Sequence, residues 1–264
     1  MIKLSIITIN YNNASGLKKT LESIACQRFS DYEQIIIDGG STDESVKIIQ
    51  NYSQTTKQQL IWVSELDNGV YNAQNKGIQR ASGEYCLFLN SEDYLINEQV
   101  LDLVFEKEIT EDIIYGNLVV ISKNTKIGTC KGKNHITFLD IYSSLIKHQA
   151  SFIKRDLFIK YGFYDENLKI VADWAFFFKV IGFHNISLKY VDIDIACFDN
   201  NGISNNNPEL CKKERQLILD QYLPAIMQED FILLQKYKGV RLIDQSRWGK
   251  FLFRVLAKIL KILH

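Results

Sequence analysis

The sequence predicts an α/β fold built on a mostly parallel sheet flanked by helices. Three observations lead there. Near-continuous apolar runs recur four times in the first 105 residues, and each is followed by a segment with helical apolar spacing. A polar cluster rich in Asn, Asp, Ser, Glu or Gly stands directly after each run. Runs without alternation are strands buried on both faces, so helices must cover both sides of the sheet. In such sheets ligands collect beyond the carboxyl ends of the strands. The polar clusters 10–13, 38–41, 65–69 and 90–93 should therefore converge on one crevice.

The elements follow in order. Lys3–Ile9 is a β-branched run and reads as the first strand, not as a targeting segment. Leu17, Leu21, Ile24 and Ala25 mark the first helix by spacing. Gln34–Asp38 is the second strand, and Ser41-Thr42-Asp43-Glu44 has the pattern of a capping box opening the helix after it. Leu60–Ser64 is the third strand, with Val70, Ala73, Gly77, Ile78 and Ala81 marking the next helix. Tyr85–Leu89 is the fourth strand, and Val100, Leu101 and Val104 begin the helix beyond it.

From about Asp112 the pattern loosens. Ile113–Ile121 and Lys126–Cys130 read as strands of a mixed extension, and His148–Ile153 as a further strand. Asp156–Tyr161 is a short helix stopped at Gly162, and Asp173–Val180 is helical and aromatic. Residues 208–237 are helical with an interruption near Pro224, and Asn200–Pro208 is linker-like. The expected organisation is a domain over 1–207, split into halves 1–110 and 111–207, then a helical extension 208–246 and a basic amphipathic helix 247–264.

Composition excludes several classes. The 264 residues carry 31 basic and 31 acidic side chains, so no global charge favours nucleic acid. The balance is local: Arg247, Lys250, Arg254, Lys258 and Lys261 stand in the last eighteen residues, which contain no acid. Their spacing of three or four places them on one helical stripe among Trp, Phe, Leu, Ile and Val. That is the composition of a helix lying in a membrane interface; a docking helix with a solvated basic face has the same pattern. Five widely spaced cysteines with no C-x-x-C pair argue against a disulfide framework and a structural zinc site, and fit a reducing cytosol. No run of eighteen apolar residues predicts a transmembrane helix.

Each strand tip carries residues with chemistry. Glu92 and Asp93 are adjacent carboxylates at the end of the fourth strand. They repel unless a cation or a hydrogen-bonded sugar lies between them, and a hard divalent ion would bridge them to phosphate oxygens. A solvated turn capping the next helix is the plainer alternative. Tyr11 is an aromatic ring at a strand tip that could stack on a nucleobase, packing being the plainer alternative. Asp38 precedes two glycines and could accept from a base N–H or a ribose hydroxyl. Lys76 could meet phosphate. Asp173 opens an aromatic helix and reads as its N-cap, where the helix N-terminus stabilises a carboxylate.

Five stretches occur in an order that points to a family: "TINYNN" at 8–13, "DGGSTDES" at 38–45, "SELDNGVYNAQNKGI" at 64–78, "ASGEYCLFLNSED" at 81–93 and "ADW" at 172–174. Over about Lys3 to Ser204 the chain resembles the family-2 inverting glycosyltransferases of bacterial polysaccharide biosynthesis, which have the GT-A fold. The resemblance implies a nucleotide-sugar-binding half and an acceptor half. It implies that Thr8 and Tyr11 contact the nucleobase, that Asp38 binds base or ribose, and that Asp67 and Asn75 lie along the donor site. The acidic tip corresponds to the family's Asp-x-Asp motif, with Asn90 and Glu92 standing where Asp is more frequent. Asp93 would then hold Mg²⁺ or Mn²⁺, and Glu92 would touch ribose or a metal-bound water. Asp173 would be the general base and Trp174 part of the acceptor region. His148, in "HQASF", would orient acceptor or diphosphate, and "NNGIS" at 200–204 would close over the donor.

The expected reaction is transfer of one sugar from a nucleotide diphosphate sugar to an acceptor hydroxyl, with inversion. A lipid-linked or growing glycan at the cytoplasmic face of a membrane is the expected acceptor. A sugar-nucleotide nucleotidyltransferase needs a basic Gly-rich loop after the first strand, and residues 10–16 hold one Gly and no Lys or Arg. A dinucleotide oxidoreductase needs G-x-G-x-x-G there, and that is absent. A non-catalytic sugar-nucleotide-binding or scaffold protein is the remaining alternative, kept open by Asn90 and Glu92.

Overall fold

The four apolar runs form the parallel half of one sheet. The computed structural model describes residues 2–122, 125–200, 207–236 and 251. In it β1 (Leu4–Asn10), β2 (Tyr32–Asp38), β3 (Gln59–Ser64) and β4 (Tyr85–Phe88) lie in the order β3-β2-β1-β4. All three pairings are parallel. Every residue of β1 and β2 is buried, as strands covered on both faces must be.

The cover comes from α1 (Ala14–Ala25), α2 (Ser45–Thr55) and α3 (Val70–Arg80). Helix α1 buries Leu17, Leu21 and Ile24, while Ala25, its last residue, faces solvent against expectation. Helix α3 sits so close to β1 that a Cβ on Gly77 would lie 2.4 Å from the Ile7 Cγ2 atom. The capping box before α2 does not form. Glu44 is the N-cap residue and its own side chain makes no capping bond. Ser41 instead donates to Asp38 at 2.6 Å, and Asp43 accepts from the backbone of Ala14 and Ser45. A buried carboxylate that lacks donors costs more than an exposed helix end that water can satisfy.

Beyond β4 the sheet is mixed, as the looser pattern predicts. Its elements are β5 (Tyr94–Leu95), α4 (Val100–Phe105), β6 (Ile113–Ser122), β7 (Thr125–Cys130), α5 (Phe138–Tyr142), β8 (Ser151–Lys154), α6 (Arg155–Tyr161), α7 (Ala172–Phe183) and β9 (Leu188–Asp199). The order continues β4-β8-β6-β9-β5, with β7 on β6. Strand β8 is antiparallel to β4 and β6, and β9 runs parallel to β6. Gly162 stops α6 at a φ of 96°, a conformation glycine adopts readily. Strand β9 goes unpredicted by apolar runs. Its signal is the alternation of Val191, Ile193 and Ile195 with Asp192 and Asp194.

His148–Ile153 is not one strand. His148–Ala150 is a 3₁₀ turn and β8 begins at Ser151. An extended chain would send His148 and Gln149 to opposite faces; the turn lets both side chains reach carboxylates. Helices α8 (Pro208–Tyr222) and α9 (Ala225–Lys236) flank Pro224 as predicted. The chain divides into two compact units, residues 1–215 and 216–264. The first holds the whole sheet; the second holds the end of α8 and α9. Residues 201–206, and 247–264 apart from 251, lie outside the described residues, and so do the expectations attached to them. The five cysteines are free thiols.

Candidate active site

The strand tips do converge. Asp38 ends β2 with no exposed surface and binds four donors. Asn10 Nδ2 at 2.8 Å and Ser41 Oγ at 2.6 Å reach one oxygen; Ser41 N at 2.9 Å and Ser64 Oγ at 2.6 Å reach the other. Burial works to raise this carboxyl, but the bonds from Ser41, Ser64 and Asn10 outweigh it and hold it below the ordinary range. Asn12, at a φ of 48°, completes the join by donating its backbone N–H to Ser41 and accepting from Thr42. Tips one, two and three are thus tied through one carboxylate whose lone pairs are all taken. Asp38 thus joins the ends of β1, β2 and β3.

The exposed side chains at this end are others. Tyr11 is 65% exposed, as a stacking ring requires and as a packing ring would not be. A Cβ on Gly39 would lie 2.6 Å from Asp67 Oδ2 and 3.3 Å from Tyr11 Cδ2, so the bare Gly39 backbone forms a floor between them. Asp67 Oδ1 accepts from Gly69 N at 2.9 Å. Thr8 lies inside β1 and is 1% exposed. Asn75 is buried, and its amide bonds Tyr164 O at 2.9 Å, Tyr164 N at 3.1 Å and Glu166 at 2.8 Å. It therefore bridges the two halves of the domain. Lys76 is taken up by Glu65 at 2.9 Å and Leu66 O at 3.0 Å, not poised for phosphate.

The fourth tip is no solvated turn. Thr20 Oγ1, on a buried face of α1, donates to Asp93 O at 2.7 Å and accepts from Glu92 N at 3.0 Å. Glu92 is exposed with a φ of 89°, a strained value for a residue with a side chain. That bend turns Asp93 inward, where it is 5% exposed. Burial pushes the Asp93 carboxyl up to about 7, moderated by His148, a backbone bond near Asn90 and the Gln149 side chain. Helix α4 starts without it: Gln99 is the N-cap residue.

Asp173 lies in the first turn of α7, one residue inside the helix and not at its N-cap, which is Val171. His148 Nδ1 meets Asp173 Oδ2 at 2.7 Å, and the Tyr71 hydroxyl lies 3.1 Å from Oδ1 and 2.6 Å from Ile170 O. Burial again works to raise the carboxyl. The His148 ring, the Trp174 backbone N–H and Tyr71 outweigh it and hold Asp173 below the usual carboxylate range. With Asp173 ionised, the shared hydrogen sits on His148 Nδ1. His148 Nε2 is buried with no hydrogen-bond partner among the described residues. Trp174 is buried, donates to Ile141 O at 3.0 Å and stacks on Phe178, so it packs the wall of the site.

Thr20, Tyr71 and Gln149 are site residues that the sequence reading does not single out. Thr20 had a signal: it is a polar residue at a core position of an amphipathic helix. Tyr71 and Gln149 lie within quoted motifs, but their partners are 102 and 56 residues away in sequence and no spacing announces them.

The comparisons with known proteins agree with this architecture. The family model "Glycosyl transferase family 2" matches residues 5–165, more than half of the chain. A PGL/p-HBAD biosynthesis glycosyltransferase of Mycobacterium bovis is 32% identical over 205 residues, covering 76% of this chain and 78% of its own length. An uncharacterized glycosyltransferase of Rickettsia prowazekii is 27% identical over 245 residues, covering 88% and 75%. Among solved structures, S. aureus TarS 1-349 in complex with UDP-GlcNAc superposes with a TM-score of 0.61 at 20% identity, over 93% of this chain and 67% of that one. The chain spans 44% of full-length TarS. GalNAc-T7 with UDP, GalNAc and Mn²⁺ superposes at 0.66 and 17% identity, over 93% and 51%. In sequence and in fold, then, the chain belongs to glycosyl transferase family 2 and is a GT-A glycosyltransferase.

Proposed function

We propose that this glycosyltransferase moves one sugar, with inversion, from a nucleoside diphosphate sugar to an acceptor hydroxyl, and that Asp173 takes the hydroxyl's proton. One observation carries the reading: a single imidazole, His148, hydrogen-bonds Asp173 at 2.7 Å and is near enough to act electrostatically on Asp93. A carboxylate for the diphosphate and a carboxylate for the acceptor are thereby gathered around one ring. Tyr11, Gly39 and Asp67 offer a stacking ring, an open backbone floor and an acceptor for a nucleoside. TarS and GalNAc-T7 are solved with UDP, and a Pyrobaculum calidifontis mannosyltransferase with GDP-Man and Mn²⁺, which supports a nucleotide-sugar donor here.

The residues fit a divalent ion. Among the described residues no three His, Cys, Asp or Glu side chains gather to enclose one. Asp93 would supply an oxygen ligand to Mg²⁺ or Mn²⁺, and phosphate oxygens and water would supply the others. When bound, such an ion offsets charge on the departing diphosphate. The chain's own residues do the rest. Thr20 fixes the bend that aims Asp93. Tyr71, His148 and the first-turn N–H of α7 hold Asp173 ionised and pointing one way. An ionised carboxylate placed to receive the acceptor proton accelerates attack by about 10²–10⁴-fold. A single in-line displacement inverts the anomeric carbon and needs no covalent enzyme intermediate.

The acceptor is proposed to be a lipid-linked or growing glycan at a membrane surface. The basic, apolar sequence of 247–264 supports this, as do the exposed Ile226, Met227, Ile232, Leu233 and Leu234 of α9. No helix among the described residues is long and apolar enough to cross a membrane. Calorimetry with UDP, GDP, CDP, ADP and dTDP, each with and without Mn²⁺, tests the donor site in the native chain and in Asp93→Ala. Binding of one nucleotide that needs both Mn²⁺ and Asp93 is expected. Binding indifferent to both would sink the metal assignment.

A further inference from the structure

We infer that Glu214, on α8, is a positioning residue for Asp173. Glu214 is 5% exposed, and its carboxylate faces the turn that leads into α7. One oxygen accepts from Lys169 N at 2.7 Å; the other accepts from Ile170 N at 3.0 Å and Val171 N at 3.3 Å. Three successive backbone N–H groups closing on one carboxylate form a concave nest, a strong mode of anion capture. Here the anion belongs to the chain itself, so the capture fixes the backbone. The Ile170 peptide is held from both ends: its N–H by Glu214 and its C=O by Tyr71, the same hydroxyl that reaches Asp173.

The neighbouring residue holds the other side of the same helix start. Arg215 lies 4.0 Å over the Trp174 ring, and its guanidinium donates to Ser144 Oγ at 2.5 Å and to Tyr142 O. Adjacent residues of α8 thus grip the turn before Asp173 and the indole after it. Both stand beyond residue 165, where the family-model match ends. A packing role alone would be met by apolar side chains. A buried carboxylate is costly unless its bonds are made, and here they converge two residues before the base. Displacing a reacting group by about 1 Å costs on the order of 10²-fold in rate.

The inference rests on Asp173 being the base, and the test separates the two. The chain has four histidines, so the His148 ring nitrogens are assignable by long-range ¹H–¹⁵N correlation in the full-length protein at alkaline pH. In the native chain Nδ1 carries the hydrogen, held there by Asp173. In Glu214→Gln and Glu214→Ala the turn loosens, and His148 reverts toward the mixture of tautomers seen in free imidazole. His184, stacked on Tyr161 at 4.2 Å, keeps its native shifts. Glu214→Asp, which restores the charge, recovers part of the native signature. Unchanged His148 shifts in folded Glu214→Gln would overturn the inference, and so would equal changes at His148 and His184, which report general loosening. Transfer activity in Asp173→Asn judges the base separately: full activity there removes the catalytic consequence while the His148 shifts still decide the clamp.

Discussion

The two sides of the crevice are built on opposite principles. On the donor side one buried carboxylate is fully matched: Asp38 has four donors, and Ser41 and Asn12 tie the loops together, while the neighbouring Asn10 Oδ1 is buried without a hydrogen-bond partner among the described residues. Across the crevice the buried carboxylate of Asp93 has its carboxyl raised, and among the described residues His148 Nε2 and the Tyr164 hydroxyl are buried without partners. A saturated network is rigid and binds by shape. An unsaturated one in a buried site carries a cost that a ligand relieves. We propose that the Asp38 junction is preformed, and that ligand binding relieves the cost of burying Asp93 beside His148 and Asp173.

The largest effect falls on the unsaturated side. Asp173→Asn keeps the bulk of the side chain but removes the charge proposed to accept the proton. Transfer should fall by roughly 10²–10⁴-fold while nucleotide affinity by calorimetry stays within a factor of two. If affinity falls as far as rate, the division between the two sides is wrong.

How far the sequence carried this comparison depends on the kind of contact. The parallel sheet was legible because buried strands write themselves as apolar runs, and the four polar tips follow from topology. Asp93 and Asp173 were legible as acids at a strand end and a helix start. What was not legible concerns long-range partners. The donors on Asp38 include Ser64, which lies 26 residues on. The Asn75 amide is answered by residues 89 and 91 positions away. Strand β9 was missed because half-exposed strands alternate, and its aspartates mask the pattern. The 3₁₀ turn at His148 could not be read, since two side-chain targets from distant segments choose it over a strand.

The next effect sharpens the claim that Asp93 is held at a cost. Its carboxyl is raised to about 7, above an unfolded value near 4, so the folded metal-free protein binds this proton more tightly than the unfolded chain does. The group's contribution is therefore favourable at low pH and is lost as pH rises from about 4 through 7. Asp93→Asn should abolish that loss and stabilise the metal-free fold at pH 8 by up to roughly 4 kcal/mol, read from denaturant melts. The same variant should lose Mn²⁺-dependent nucleotide binding. Equal stability of the two proteins at pH 8 would mean that Asp93 is not strained by burial.

A smaller effect tests the donor side. Gly39→Ala places a methyl 2.6 Å from Asp67 Oδ2 and 3.3 Å from the Tyr11 ring. Asp67 must swing away, and the floor between ring and carboxylate rises. Nucleotide affinity should drop by about tenfold, on the order of 1.4 kcal/mol, with turnover at saturating donor nearly unchanged. A drop in turnover at constant affinity would place Gly39 on the reacting side of the crevice.

The smallest expected effect concerns the saturated carboxylate itself. Ser64→Ala removes the 2.6 Å donor on one oxygen of Asp38 and leaves three others. Loss of a hydrogen bond to a charged, buried acceptor costs about 1–3 kcal/mol, and Asn10 and Ser41 should keep the value near the lower end. The sign with pH is opposite to that of Asp93. Asp38 is depressed, so its stabilisation is present above the unfolded carboxylate value and is lost as pH falls through the folded one. With a donor removed the folded value rises toward the unfolded one. The acid-unfolding midpoint of Ser64→Ala, followed by circular dichroism, should therefore lie at higher pH than that of the native chain, while stability near pH 8 changes little beyond the lost bond. A midpoint that does not move would show that Asp38 does not hold the tips together, and the contrast between a saturated and an unsaturated side would reduce to the acceptor half alone.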